Sequence, residues 1–353
     1  MSSGGWSAAG VYYRVDPRLF RDGDGDGVGD LPGLTAELDY LRWLGVDTVW
    51  PVFDAIAPDA AWDGLLPVAR PEGLHLADGQ RWRSLTAAAH RRGMRVVIDG
   101  WAAACRVCRE GGRALPDDPA ARPRGGGRGA ARTDLSLRTA FGNGIDAVWA
   151  GDGWAVPPAA NATATAGHGE ASVLAPTAAA TVPATLRTLL PAPPRPTRVG
   201  RPPHPAIVAA GLLAAATAPA TARPTIWTLL PGSAPRLAGA CGARSAPALA
   251  LLLLCLPGVV AIASGDELGL VDASPSGPAD PDSGCPPHGP ERAAMAWDAG
   301  AGAGFAPWPW RPLAPPAAPP VSRQRTDSDS LLALHRRAIA LRRGSPALTC
   351  GEV

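Results

Sequence analysis

The chain has 353 residues, 46% of them hydrophobic, with a mean hydropathy of +0.02, which suits one large or two ordinary globular domains. Charged residues make up 18% and leave a net charge of only +2 with the signs interspersed, so no strong field favours nucleic acid or an anionic membrane. The 40 prolines, roughly twice the usual share, and 42 glycines exclude one uninterrupted core, because proline breaks helix interiors and central strands.

Val11–Val15 reads as a strand, and Leu34, Leu38, Leu41 and Leu44 then recur at helical spacing, with Gly45 as a stop. Asp47–Trp50 is a second strand. A helix through Trp82, Leu85 and Ala89 ends at Gly93, and Met94–Ile98 is an apolar strand. Strands alternating with helices imply a parallel sheet covered on both faces. Gly144–Trp149 reads as one more strand. From Pro157 to Pro224 the sequence is rich in Ala, Pro and Thr, cannot bury much large apolar surface, and is expected to be loosely ordered. Thr225–Leu229 is a strand, Ala246–Leu256 a helix and Val259–Ala263 a strand. Ser328–Arg343 is an amphipathic helix with Leu331, Leu334, Ala338 and Leu341 on one face and Gly344 closing it.

Met1–Gly10 lacks the basic start and apolar run of a signal peptide. The apolar run Ala246–Ala263 is interrupted by Pro247, Pro257 and Gly258, which suits a buried helix and strand better than a membrane span. A soluble, cytoplasmic protein is expected. The six cysteines form no framework, and Cys105-Arg-Val-Cys108 has no second ligand pair, so free thiols are expected.

The strongest local motif is Asp22-Gly-Asp-Gly-Asp-Gly-Val-Gly-Asp30. Asp22, Asp24 and Asp26 alternate, Val28 can offer its carbonyl and Asp30 adds a fourth carboxylate, a set of hard oxygen ligands that suits Ca²⁺. An EF-hand would need Glu at its twelfth position, which is Gly33, and a dinucleotide loop would not cluster aspartates against a pyrophosphate. The competing reading is a solvated acidic turn.

From this loop onward the sequence resembles glycoside hydrolase family 13, the α-amylase superfamily, in its α-glucosidase (oligo-1,6-glucosidase) branch. The resemblance lies in Tyr13, Pro17-Arg-Leu-Phe20, the Asp22–Asp30 loop and Leu38-Asp-Tyr-Leu-Arg-Trp-Leu-Gly-Val-Asp47. It continues in Arg95–Asp99, Leu256-Pro-Gly258, Gly265–Leu270, Met295–Gly300 and Leu334–Arg343. It implies a (β/α)₈ barrel, incomplete or distorted in the middle and without the family's C-terminal β-domain, its site at the C-terminal strand ends. The implied organisation is a barrel half with the calcium loop (1–100), a remnant of an inserted subdomain (101–133), the fourth-strand region (134–156), the poorly ordered segment (157–224) and the closing barrel elements (225–353).

Retaining enzymes of this kind place a carboxylate nucleophile and a carboxylic acid roughly 5–5.5 Å apart. Carried over position by position, the resemblance puts the nucleophile on Gly151, the general acid on Arg201 and the third acid on Ser233. The sugar-gripping positions fall on Leu65 (after Gly64), Ala104, Trp149 and Gly232. None has the chemistry required. The implied protein is therefore α-glucosidase-like and catalytically inactive, with an α-glucosidic oligosaccharide as its expected partner. The alternatives are an active α-glucosidase using displaced carboxylates, Asp152 with Glu170, or a non-catalytic module for sugar or partner binding. Asp266 and Glu267 are expected to be structural, His90 to lie on a helix surface, Trp43, Trp50 and Trp82 to be core, and Trp308 and Trp310 to be exposed.

Overall fold

The computed structural model describes residues 10–52, 79–99, 138–149, 172–175, 182–183, 185–190, 225–230, 236–272, 293–309, 313 and 318–350. Among the described residues nine strands form one parallel sheet: β1 (Gly10–Val15), β2 (Thr48–Pro51), β3 (Arg95–Asp99), β4 (Ala147–Trp149), β5 (Ser172–Ala175), β6 (Val182–Pro183), β7 (Thr185–Thr188), β8 (Thr225–Thr228) and β9 (Val259–Ala263). Their spatial order is β6-β5-β4-β3-β2-β1-β9-β8-β7. One residue of chain separates β6 from β7, so this order runs round a cycle, as in a parallel α/β barrel. Three of the strands fall in the Ala/Pro/Thr-rich tract, where the sequence offers no usable periodicity, and they span only four, two and four residues.

Alternation along the strands sorts two cores. Tyr12, Trp50, Val52, Val97, Ala147, Trp149, Ile226, Val259 and Ala261 cluster on the inner face, a set contributed by the sheet alone. Val11, Tyr13, Val49, Val96, Ile98, Val148, Val260 and Ile262 face outward and join the leucines of the surrounding helices.

The helices are α1 (Leu31–Ala36), α2 (Leu38–Leu44), α3 (Gly79–Arg91), α4 (Leu237–Cys241), α5 (Ala246–Leu254), α6 (Val321–Gln324), α7 (Leu331–Gly344) and α8 (Pro346–Cys350). The periodicity through Leu34–Leu44 is one helix in the sequence and two in the structure. The break is at Glu37 (φ −99°, ψ 12°), whose carboxylate meets Arg21 at 2.6 Å. The two pieces then serve different neighbours, α1 packing on α3 and α2 on α7.

The face of α7 expected to be buried is not the buried one. Leu332, His335, Ile339 and Arg342 point inward, whereas Leu341 is 68% exposed. Two polar residues can occupy that face because each finds backbone carbonyls. His335 Nδ1 lies 3.0 Å from Leu331 O, and Arg342 donates to the carbonyls of Leu254, Leu256 and Gly258. Gly344 is inside the helix, and Ser345 ends it.

Candidate functional site

β1 delivers the chain to the aspartate loop through Pro17–Leu19, a turn of 3₁₀ helix that Asp16 caps by accepting from Arg18 N. Asp22 organises the loop: its Oδ1 accepts from Asp24 N (3.1 Å) and Gly25 N (2.7 Å), and its Oδ2 from Gly27 N (2.8 Å). Asp26 Oδ1 accepts from Val28 N at 2.7 Å. These turns need backbone at positive φ, which Gly25 (88°) and Gly27 (94°) supply without Cβ strain.

The curl brings carboxylate oxygens of Asp22, Asp24 and Asp26 within 4.8 Å of one another. Asp30 stands apart from that trio as the N-cap of α1. Its Oδ1 accepts from Gly33 N (2.7 Å) and Gly23 N (3.1 Å), while its buried Oδ2 has no hydrogen-bond partner. Burial pushes the Asp30 carboxyl up to about 6; the Gly33 N–H opposes the rise, and Asp24 and Asp22 add to it. Burial likewise raises Asp26. Acids gathered this closely favour a cation on electrostatic grounds. Val28 is buried, at the end of the curl.

Tryptophan side chains stand at the C-terminal ends of β2 (Trp50) and β4 (Trp149). In register, Arg14 pairs with Trp50 and Asp99 with Trp149. Trp50 and Trp149 meet edge to face at 6.0 Å, Tyr12 meets Trp50 at 6.3 Å, and the Arg14 guanidinium lies 5.1 Å from the Trp50 ring centre. Buried Trp50 Nε1 has no hydrogen-bond partner. Trp149 thus fills barrel interior at the position the resemblance assigns to an arginine. Arg14 was not among the residues the sequence pointed to. The signal was present in the alternation of β1, which puts Tyr12 and Arg14 on one face. Gly64, Leu65, Ala104, Gly151, Asp152, Glu170, Arg201, Gly232, Ser233, Trp310 and the Cys105–Cys108 pair lie outside the described residues.

Asp266 and Glu267 are structural. They lie on a 3₁₀ turn after β9, where Asp266 Oδ1 accepts from Leu237 N (3.0 Å). Glu267 is fully buried: its Oε1 accepts from Tyr13 Oη (2.7 Å) and Tyr40 Oη (2.8 Å), its Oε2 from Gly265 N (2.8 Å). Burial raises its pKa, and the tyrosine and backbone donors oppose that rise. His90 is on the surface, 2.9 Å from Asp146. Trp50 and Trp82 are core, whereas Trp43 is only half-buried, with the guanidinium groups of Arg325 and Arg336 at 4.6 and 4.7 Å from its ring centre. Trp308 is 85% exposed. Cys241 and Cys255 are free thiols, Cys241 buried. Among the described residues, no helix is long and apolar enough to cross a membrane.

Residues 14–105 and 228–351 match the Alpha-amylase family (alpha amylase, catalytic domain). Over 97 residues the chain is 40% identical to an oligo-1,6-glucosidase of Halalkalibacterium halodurans, a stretch covering 27% of this chain and 17% of the relative. A trehalose synthase of Pimelobacter sp. is 41% identical over 103 residues, covering 27% and 16%, so the aligned stretch is a small part of each relative. An inactive MutB double mutant in complex with isomaltulose superposes with a TM-score of 0.69 at 18% identity, covering 98% of this chain and 85% of that one. The isomaltulose synthase SmuA from Protaminobacter rubrum gives 0.67 at 17%, covering 99% and 86%. At such identity these two structures speak for the fold alone.

Proposed function

Because the chain belongs to the α-amylase catalytic-domain family, we propose that it is an α-glucosidase-like protein of carbohydrate metabolism that holds an α-glucosidic oligosaccharide at the barrel mouth without cleaving it. The relatives named for oligo-1,6-glucosidase and trehalose synthase activity support the ligand class. Trp149 carries the argument against cleavage. It ends β4 as a buried ring packed on Trp50, where the resemblance implies a sugar-gripping arginine, and two residues on, Gly151 offers no carboxylate for a glycosyl ester. An arginine at the general-acid position, Arg201, cannot protonate a leaving oxygen at neutral pH. Members of a catalytic unit fail together, so the loss of all of them leaves next to no rate.

The aspartate loop is proposed to hold a structural Ca²⁺. The fit rests on the three gathered carboxylates and on the partnerless Asp30 Oδ2; the Val28 carbonyl would complete an oxygen set. Bound there, the ion would cross-link the loop and take no part in bond cleavage.

The test is turnover of a nitrophenyl α-glucoside by calcium-loaded protein. No release above the uncatalysed rate is expected. Turnover that disappears in Asp152→Asn or Glu170→Gln would replace this reading with that of an active enzyme using displaced carboxylates.

A further inference from the structure

We propose that the outer surface where α2, α6 and α7 meet binds a phosphate group, taken up by the guanidinium groups of Arg325 and Arg336. The site belongs to the helical shell and stands independently of the oligosaccharide reading.

Trp43, near the end of α2, organises this surface. Its half-buried ring lies close to parallel with that of buried Tyr40 (25° between planes, 6.3 Å between centres), and Tyr40 Oη is held by Glu267 at 2.8 Å. Arg325, which ends α6, brings its guanidinium carbon to 4.6 Å from the Trp43 ring centre, and Arg336 on α7 brings its own to 4.7 Å. Both arginines are exposed, and two like charges thus share one ring. Their backbone is well anchored. α7 packs on α2 and on α6, and buried Gln324, next to Arg325, donates to Leu268 O (2.9 Å) and Pro319 O (2.8 Å) while accepting from Leu332 N (3.1 Å). The cations are therefore set in place before any ligand arrives, which lowers the ordering cost of binding.

Charge selects the occupant. Among the described residues neither Arg325 nor Arg336 forms an ion pair, because the acids on the adjoining elements are engaged elsewhere. Glu37 meets Arg21 at 2.6 Å, Asp39 meets Arg92 at 2.7 Å, Asp47 pairs with Arg343, and Asp327 accepts from Asp329 N at 2.9 Å. The indole attracts each cation through its ring face but carries no charge to cancel either. Arg336 Nε donates to Trp43 O at 3.3 Å, which leaves its Nη N–H groups for another acceptor. Two uncancelled guanidinium forks favour a ligand with more than one negative charge and several acceptor oxygens, and a phosphate group has both. A lone carboxylate would bring less charge and fewer acceptors.

The experiment titrates the calcium-free full chain with inorganic phosphate, pyrophosphate, glucose 6-phosphate and glucose by calorimetry, at fixed ionic strength. Binding is expected for the three phosphate compounds and not for glucose, and it should weaken as chloride is raised. A tighter fit for glucose 6-phosphate than for inorganic phosphate would assign the site to a sugar ester; equal affinities would assign it to the phosphate group alone. Arg325→Gln and Arg336→Gln are each expected to weaken binding about fivefold, and the double variant to abolish it. Both side chains are exposed, so the variants should melt within about 2 °C of the native protein. Arg91→Gln removes one charge from exposed α3 and is expected to bind as the native chain does. Absence of binding by all three phosphate compounds, undiminished binding in the double variant, or an equal loss in Arg91→Gln would overturn the proposal.

Discussion

The guanidinium of Arg342 is carried into the core by α7, where the residue is 1% exposed, and its acceptors are the carbonyls of Leu254, Leu256 and Gly258 at the C-terminal end of α5. A cation is favoured at that end of a helix, and the bonds to the Leu254 and Leu256 carbonyls are buried. Arg342→Met keeps the apolar stem but leaves these acceptors without their donor, so a loss of about 3 kcal/mol is expected in denaturant unfolding. Arg342→Lys should recover only part, because an ammonium cannot reproduce the fork. His335, on the same buried face, is pushed down to about 4 by burial, opposed by the Leu331 carbonyl. Between pH about 4 and the unfolded value near 6.5, the unfolded chain binds a proton that the native state does not. Stability therefore rises with pH through that window, by up to about 1.4 kcal/mol per unit, and is lost on acidification. Melting temperatures from pH 7 down to 4.5 should fall less steeply in His335→Gln than in the native protein. Equal slopes would mean that His335 is not the group responsible.

At the scale of elements, α2 ends where Gly45 takes φ 104°, and a Cβ at that position would lie 2.7 Å from Ile339 Cγ2 on α7. Gly45→Ala therefore meets both left-handed backbone strain and a clash across a helix pair, and about 2 kcal/mol of destabilisation is expected in equilibrium unfolding. Ile339→Ala removes the Cγ2 methyl that the new Cβ meets, so the double variant should lose less than the sum of the two single losses, because the two sites are in contact. Gly45 was legible as a stop because helix termination is a local event. The buried face of α7 was not, since counting only apolar residues passes over a histidine and an arginine whose polar ends reach backbone carbonyls 4 and 86 positions away, respectively. β5, β6 and β7 were hidden for a related reason. They span only two to four residues each, and an Ala/Pro/Thr background gives no period to read. The aspartate trio was readable because a spacing of two along one short loop fixes its geometry without help from the rest of the fold. The partnerless Asp30 Oδ2 and the ring packing at Trp149 needed the barrel to be assembled first.

Across the whole molecule, the aspartate loop is a junction between distant parts of the chain. Leu19 O accepts from Met295 N (2.8 Å), Phe20 O from Trp297 Nε1 (2.7 Å), and Asp22 N donates to Phe305 O (3.2 Å). Glu267, which follows β9, accepts from Tyr13 on β1 and Tyr40 on α2. The first and last strands of the cycle are therefore fastened through groups that flank the loop, and an ion held by the loop should stabilise the barrel as a unit. A cation bound by the native state alone adds about 2.7 kcal/mol at one hundred times its dissociation constant, on the order of 5 °C in melting temperature for a chain of this size. Calcium should thus raise the main melting transition relative to chelator. Asp24 is the side chain with which to test the assignment, since it is exposed and makes only a 3.3 Å bond to Asp26 N, whereas Asp22 holds three N–H groups. Asp24→Ala is expected to leave the melting temperature in chelator within about 1 °C and to remove most of the response to calcium. Identical melting of the native protein in calcium and in chelator would reduce the loop to a solvated acidic turn, held together by its own backbone hydrogen bonds.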